Sequence, residues 1–244
     1  MQHQAQPNYQ FDKMNTDYCK FIIISHARSG SNLLLNALNS HPNIIAEHEI
    51  FAAHNRNIGE NFQPTLDNLF RKRPESAKAV GCKIFYYHLN QDEWRQISEI
   101  PELKVIHLKR KNALSMIVSM KVAFKTDQWG IASEAERIDA AQKQVHLDYD
   151  FLRQRFEQIE LWEKNMPKLF DRSPIQNVFY QDLVGQYQQT VESLFSFLDL
   201  PQISLEMKIQ HKKQNPEPLN QLIYNYDELK EKFADTPWAS YFNC

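Results

Sequence analysis

Residues 21–35 read Phe-Ile-Ile-Ile-Ser-His-Ala-Arg-Ser-Gly-Ser-Asn-Leu-Leu-Leu. A continuous apolar run rich in β-branched side chains predicts a strand over Phe21–Ser25, and the renewed apolar run after Asn32 predicts a helix. The joint between them, Arg28-Ser-Gly-Ser31, contains one of only 5 glycines in the chain. A strand that feeds a helix through such a turn exposes a cup of backbone N–H groups at the positive end of the helix dipole, which is a phosphate site by geometry and by charge.

The pattern repeats outward. Further strands are expected at Lys78–Tyr87, Leu103–Leu108 and Asn177–Tyr180, with helices at Asn32–Ser40, Gln91–Ile100 and Lys111–Phe124 between them. Strands alternating with helices predict an α/β fold with a central parallel sheet flanked by helices. Val145, Tyr149, Leu152, Phe156, Ile159 and Met166 recur at helical spacing, and Ser133-Glu-Ala-Glu136 has a capping-box form, so one long packing helix is expected from about Ser133 to Phe170. Val191, Leu194, Phe195 and Leu198 mark another helix before Pro201. Asn215-Pro-Glu-Pro218 reads as a surface loop. No repeat or linker divides the chain, so a single domain over 1–244 is expected, with residues 1–17 a flexible tail.

A net charge of −2 excludes a global attraction to nucleic acid or anionic membrane, so any anion site must be built locally. The 3 cysteines (Cys19, Cys82 and Cys244) form no C-x-x-C pair, which argues against a disulfide framework and for a reducing, cytoplasmic setting. The N-terminal residues lack an apolar signal core, and no stretch supplies the roughly 20 apolar residues of a transmembrane helix.

The turn at Gly30 lacks the spacing of a nucleoside-triphosphate loop, because no glycine lies five residues earlier and no lysine follows. What remains is a smaller cradle, with Arg28 as cation and Ser29 and Ser31 as hydroxyl donors, suited to a monophosphate or a sulfuryl-bearing phosphate. A second basic turn, Lys109-Arg-Lys-Asn112, opens the helix carrying Ser115 and Ser119. Cations there oppose the helix dipole, a conflict more readily kept where an anion binds. Arg110 and Ser119 are therefore expected to converge on a second phosphate.

Together these elements resemble a known family. His26-Ala-Arg-Ser-Gly-Ser-Asn-Leu-Leu34, His41-Pro42 and Glu49-Ile-Phe51 look like the 5′-phosphosulfate loop of sulfotransferases that use 3′-phosphoadenosine 5′-phosphosulfate (PAPS). Arg110, Asn112 and Ser119 look like their 3′-phosphate motif. Val178-Phe-Tyr-Gln-Asp-Leu-Val184 resembles the family's Tyr-Glu-Asp-Leu region, with Gln181 in place of the frequent Glu. Lys212-Lys-Gln214 and Asn225-Tyr-Asp227 resemble its closing C-terminal segment. The likeness is to the bacterial carbohydrate type, such as trehalose and nodulation-factor sulfotransferases. The cytosolic branch usually has Lys where Arg28 stands.

The resemblance implies a P-loop-like nucleotide-binding fold and an enzyme that moves a sulfuryl group from PAPS, leaving PAP, to a hydroxyl on a carbohydrate or glycolipid, without a metal. It implies cofactor contacts from Arg28, Ser29, Gly30, Ser31 and Asn32 at the 5′ end and from Arg110 and Ser119 at the 3′ end, with Lys212 and Lys213 as a lid. Glu49 is the expected base, with Glu47 and His48 as alternatives, and Lys83 is expected to reach the bridging oxygen. The acceptor walls are expected from residues 52–77 and 125–150. A small-molecule kinase and a non-catalytic phosphate-binding module are the rival readings. The kinase needs a Lys after the loop glycine, and the module leaves Glu49 dispensable.

Other features carry less. His48-Glu49 opens like H-E-x-x-H, but position 52 is Ala. His26, His41, His88 and His107 read as hydrogen-bonded structural histidines, although His26 flanks the loop. Arg71-Lys72-Arg73 reads as a solvated helix end. Trp94, Tyr86, Tyr87 and Trp129 read as core, with an acceptor wall as their alternative role.

Overall fold

The computed structural model describes residues 14–55, 62–130, 136–203 and 214–243; Ser133, Lys212, Lys213 and Cys244 fall outside them. In chain order the elements are β1 (Met14–Asn15), β2 (Cys19–Ser25), α1 (Ser31–Asn39), β3 (Ile44–Glu47), α2 (Phe62–Leu69), β4 (Arg73–Pro74), β5 (Ala79–Phe85), α3 (Gln91–Ser98), β6 (Lys104–Lys109), α4 (Ala113–Thr126), α5 (Ala140–Lys143), α6 (Tyr149–Leu169), β7 (Ile175–Phe179), α7 (Tyr180–Gly185), α8 (Tyr187–Phe197), α9 (Leu219–Leu222) and α10 (Tyr226–Lys232). Five strands form one parallel sheet in the order β3-β5-β2-β6-β7, with Ile23 opposite both Lys83 and Ile106.

β2 is the middle strand of this sheet, and its alternation feeds two cores. Phe21 and Ile23 pack with Leu34 and Leu38 of α1 and with Leu194 and Phe195 of α8. Ile22 and Ile24 face the opposite way, with Leu66, Trp94, Ile97 and Phe170. Each of these strand side chains is fully buried, contributing roughly 1.5–3 kcal/mol. Gly81 lets β5 lie close to this strand, since a Cβ there would meet the Phe21 carbonyl oxygen at 2.1 Å. A third core joins α4, the first half of α6 and the chain's end through Leu114, Phe156, Leu229 and Phe233.

The four expected strands are present, and the sheet gains an edge strand, β3, that the sequence did not single out. The expected long helix is corrected. After Lys143 the chain leaves helical geometry, Val145 bridges to Ile223, and α6 starts afresh at Tyr149, where the Asp148 carboxylate accepts the Phe151 N–H at 2.8 Å. The expected tail to Asp17 is corrected at its end, because Met14–Asn15 pairs with Arg73–Pro74. The run at 71–73 is corrected at Arg73, which is buried and donates to the Leu69 carbonyl. Among the described residues, no helix is long and apolar enough to cross a membrane.

Crossovers leave the two sides of β2 in opposite directions, so the carboxyl ends of β2, β5 and β6 border a crevice at the topological switch point, the usual ligand position in such sheets. The turn at Gly30, the end of β5 and the start of α4 all face it.

Candidate active site

The crevice is a cavity of about 1830 Å³, larger than the 300–1,000 Å³ or so of a typical small-molecule pocket and roomy enough for two ligands side by side. At its floor the chain turns from β2 into α1 through two residues of left-handed backbone, Arg28 (φ 64°) and Gly30 (φ 93°). A Cβ on Gly30 would lie 2.4 Å from Cδ2 of Tyr180, so glycine is required both by conformation and by space. Gly30 caps α1 with no side-chain hydrogen bond, and no acidic residue occupies the first turn, so the leading N–H groups and the helix dipole face the cavity without competition. Ser31 and Asn32 line it. Ser29 does not: it is fully buried and its hydroxyl donates to the His26 carbonyl at 2.7 Å, which corrects its expected place among the cup's hydroxyl donors.

Arg28 reaches further than the turn. Its Nε donates to Ser119 Oγ at 3.0 Å, one terminal nitrogen donates to the Trp129 carbonyl at 2.8 Å, and the other to the Gln214 side-chain oxygen. Arg110, just beyond β6, donates to the Arg28 carbonyl at 3.0 Å and lies 4.5 Å over the Tyr180 ring. Burial pushes both guanidinium pKa values down, and for Arg28 the nearby charge of Arg110 adds to it. Among the described residues neither has a carboxylate partner. Two half-desolvated cations joined through the Arg28 backbone, one of them bonded to the Ser119 hydroxyl, are an arrangement that an anion would complete. The Asn112 side chain caps α4 by accepting the Ser115 N–H at 2.9 Å, which sets Ser115 and Ser119 one turn apart on the cavity wall.

The other end of the cavity is acidic and basic at once. Lys83 lies on β5, on the face toward α1, and is 1% exposed. β5 lies inside the sheet, between β3 and β2. Its ammonium donates to Glu49 Oε1 at 2.9 Å and to Asn32 Oδ1 at 2.5 Å. Burial lowers its pKa, and its bond to the Glu49 carboxylate opposes that shift. Glu49 stands in the turn after β3, where its carbonyl accepts from the Ala52 N–H and from the Asn55 side chain. His88 Nε2 lies 3.7 Å from its second oxygen. The two alternatives to Glu49 are elsewhere: Glu47 faces Arg73 at 3.5 Å, and His48 is exposed; neither lines the cavity.

The cavity's roof comes from the end of the chain. Gln214 donates to the Gln128 carbonyl, and Asn215 Nδ2 approaches Ser119 Oγ at 3.5 Å. Lys143, 1% exposed, holds this stretch through the Gln214 carbonyl at 3.2 Å and Glu217 Oε1 at 2.8 Å. The expected surface loop at Asn215–Pro218 is corrected in part: Pro216 and Pro218 are exposed, but Asn215 is buried and Glu217 half-buried against the cavity, with Asn215 Oδ1 and Glu217 Oε2 left without a hydrogen-bond partner.

Behind the turn, His26 packs 4.3 Å from the Tyr86 ring, and Tyr86 stacks on Trp162 at 5.6 Å and bonds His107. Burial drives both histidines down to about 3, so they stay neutral. The same burial lifts Glu163, 4.0 Å from His26, to about 7. His26 therefore supports the turn from inside and does not line the cavity.

Of the residues expected at the site, the fold brings Arg28, Gly30, Ser31, Asn32, Glu49, Lys83, Arg110 and Ser119 around one cavity. Lys212 and Lys213 lie outside the described residues. Sequence reading missed Tyr180, Gln214, Asn215 and His88 as wall residues. Only Tyr180 and Gln214 carried a signal, each lying within a segment of the family resemblance. Tyr87 and Trp129 take the alternative role as cavity walls, while Tyr86 and Trp94 are core.

The model of the sulfotransferase domain family matches residues 19–242. Nodulation protein H of Rhizobium meliloti is 26% identical over 235 residues, covering 91% of this chain and 94% of that protein, and its namesake from Rhizobium tropici is 25% identical over 233 residues, covering 91% and 92%. Among solved structures, a sulfotransferase from Alicyclobacillus acidocaldarius is 19% identical with a TM-score of 0.49, covering 91% of this chain and 93% of that one. Mouse sulfotransferase SULT7A1 complexed with PAP is 13% identical with a TM-score of 0.47, covering 96% and 90%. With the family model spanning nearly the whole chain, from the strand before the Gly30 turn to the helical turn after α10, this protein belongs to the sulfotransferase family and is a sulfotransferase enzyme.

Proposed function

We propose that the donor is PAPS and that the acceptor is a hydroxyl on a carbohydrate or glycolipid, with the reaction run in the cytoplasm. The observation that carries the donor is the gathering of cations in one cavity: the half-buried Arg28, bonded to Ser119, and Arg110, bonded to the Arg28 carbonyl, have no carboxylate partner among the described residues, and the N-terminus of α1 and Lys83 line the same cavity. A nucleotide with anions at both its 3′ and 5′ positions would supply partners both for the two arginines and for the α1 N-terminus with Lys83. The side chains present fit it: Arg28, Arg110, Ser31, Asn32 and Lys83 line the one cavity, and the unpaired buried Asn215 Oδ1 on its wall is an acceptor for a ribose hydroxyl or the adenine amine. Arg110 and Ser119 would hold the 3′-phosphate side, joined by Arg28, which the resemblance puts at the 5′ end but whose side chain bonds Ser119 here; the leading N–H groups of α1 with Lys83 would hold the 5′ side. Bound there, PAPS supplies an activated sulfuryl group. Cys19 and Cys82 are free thiols, in keeping with a reducing compartment.

Chemistry on the protein's side needs a proton acceptor and a stabiliser of negative charge. Glu49 takes the proton of the acceptor hydroxyl as that oxygen bonds to sulfur and the sulfur–oxygen bond to the 5′-phosphate breaks. General-base help of this kind is worth roughly 10²–10⁴-fold. Lys83, shared between Glu49 and Asn32, is positioned to follow the charge from the carboxylate to the departing phosphate oxygen, a role worth about 10²–10³-fold. The α1 dipole acts in the same direction. The aromatic wall of Phe51, Phe85 and Tyr87 beside Glu49 offers the apolar face of a sugar ring a surface.

Thermal unfolding with PAP, ATP and ADP side by side tests the donor. Stabilisation by PAP alone is expected. An equal response to ATP, which has no 3′-phosphate, would refute PAPS and return the kinase reading.

A further inference from the structure

We infer that His88 is a positioning residue, an imidazole fixed in one tautomer that holds the second oxygen of the Glu49 carboxylate; the inference rests on Glu49 being the base. β5 ends in a turn, Phe85 to His88, closed by the His88 N–H donating to the Phe85 carbonyl at 2.9 Å. The ring is used in return: Nδ1 lies 3.1 Å from the Phe85 backbone nitrogen and accepts its hydrogen. A backbone N–H can only donate, so Nδ1 carries its lone pair and the proton of the neutral imidazole sits on Nε2. Nε2 is the atom 3.7 Å from Glu49 Oε2. The ring is held in place by Phe85, with centroids 4.8 Å apart, and by Tyr87, edge-on at 5.1 Å, and its side chain is 4% exposed.

Glu49 thus has one donor for each oxygen, Lys83 on Oε1 at 2.9 Å and His88 facing Oε2. A gap of 3.7 Å is too long for a hydrogen bond, and it closes with a small turn of the carboxylate of the kind that accompanies substrate binding. With both oxygens engaged, the carboxylate plane is set and one lone pair on each oxygen stays directed at the cavity. The tautomer also decides what His88 does not do. Nδ1 is used by the backbone and Nε2 already bears hydrogen, so neither nitrogen offers a lone pair to an acceptor hydroxyl. His88 neither replaces Glu49 as base nor relays its proton.

The test pairs a spectrum with a rate. In ¹⁵N-labelled protein, long-range proton–nitrogen spectra are expected to show His88 as the Nε2–H tautomer, with the Nε2 resonance moving in Glu49→Gln. An Nδ1–H tautomer, or an Nε2 resonance indifferent to Glu49→Gln, overturns the inference whether or not an acceptor is turned over. For the rate, labelled sulfate is followed from PAPS to chitotetraose and to water. His88→Ala is expected to lower kcat 10–100-fold with the KM for PAPS unchanged, His88→Gln, which keeps an N–H, to recover most of it, and His88→Ala to add nothing in a Glu49→Gln background. Unaltered PAP binding checks that each variant is folded. Loss in Glu49→Gln without loss in His88→Ala overturns the role of His88 alone. Full transfer by Glu49→Gln overturns the base assignment itself.

Discussion

Replacing Gly30 by alanine perturbs two things at once, and the structure separates them. The backbone term comes from φ 93°, a conformation costing an L-residue about 1–2 kcal/mol. The steric term comes from the new methyl, 2.4 Å from Tyr180 Cδ2, against a ring that Arg110 covers at 4.5 Å; overpacking of this kind costs about 1–3 kcal/mol. Gly30→Ala should therefore lose about 2–5 kcal/mol in urea unfolding followed by tryptophan fluorescence. In a Tyr180→Ala background the ring is gone and only the backbone term of about 1–2 kcal/mol should remain, giving a coupling energy of about 1–3 kcal/mol in the double-mutant cycle. Calorimetry should show weaker PAP binding for Gly30→Ala, because the displaced ring carries the Arg110 guanidinium with it. Equal costs in the two backgrounds would refute the steric origin, and a cost below about 0.5 kcal/mol would refute the left-handed turn.

Arg110→Ala removes a charge-assisted contact worth about 1.5–3 kcal/mol, so PAP should bind some 10–100-fold more weakly while AMP, without the 3′-phosphate, changes little; equal losses in calorimetry would contradict its role. Lys143→Ala leaves the half-buried Glu217 unpaired, which should cost up to about 3 kcal/mol in urea unfolding, the low end for a broken buried pair, and weaken PAP as the Gln214 wall loosens; an intact PAP affinity would count against that wall. Glu163 has its folded pKa raised from 4.5 to about 7 by burial, so its favourable contribution is complete below pH 4.5 and is lost as pH rises through 7. Glu163→Gln should then stabilise the protein by up to about 3 kcal/mol at pH 8 and by much less at pH 5 in paired denaturation curves; equal effects at both pH values would refute the shift.

How far the sequence foretold this depends on whether a feature is local. The β2 to α1 joint was legible because an apolar run, a lone glycine and a second apolar run sit within one short stretch, and the basic turn at Arg110 was legible as a charge placed against a helix dipole. Lys83 was visible as a charge inside a strand, although its position in a central strand depended on the sheet order. β3 escaped notice because four residues after His41-Pro42 are too short a signal. The long helix was overextended because its apolar spacing continues through Val145, whereas the Val145 backbone bonds Leu222 and Tyr224 on either side of Ile223, far along the chain. Asn215-Pro-Glu-Pro218 carries the composition of a loop, and its attachment to the cavity comes from Lys143, a partner that composition cannot announce. His88 looked structural because its Nδ1 is, while its other nitrogen faces the site.

The ties from Lys143 to Glu217 and from Val145 to Ile223 have a consequence for how the enzyme comes into being. The parallel sheet is complete once Phe179 has been synthesised, yet the wall over Arg28 and Ser119 arrives only with Gln214, and the core that steadies α4 only with Phe233 and Phe242. A nascent chain arrested at the sheet would expose Leu114, Val118 and Phe156 to solvent and have no roof over its cation pair. Competence for catalysis is thus acquired at the last stage of translation, and ribosome-bound chains should gain PAP affinity only after the residues beyond 214 have emerged.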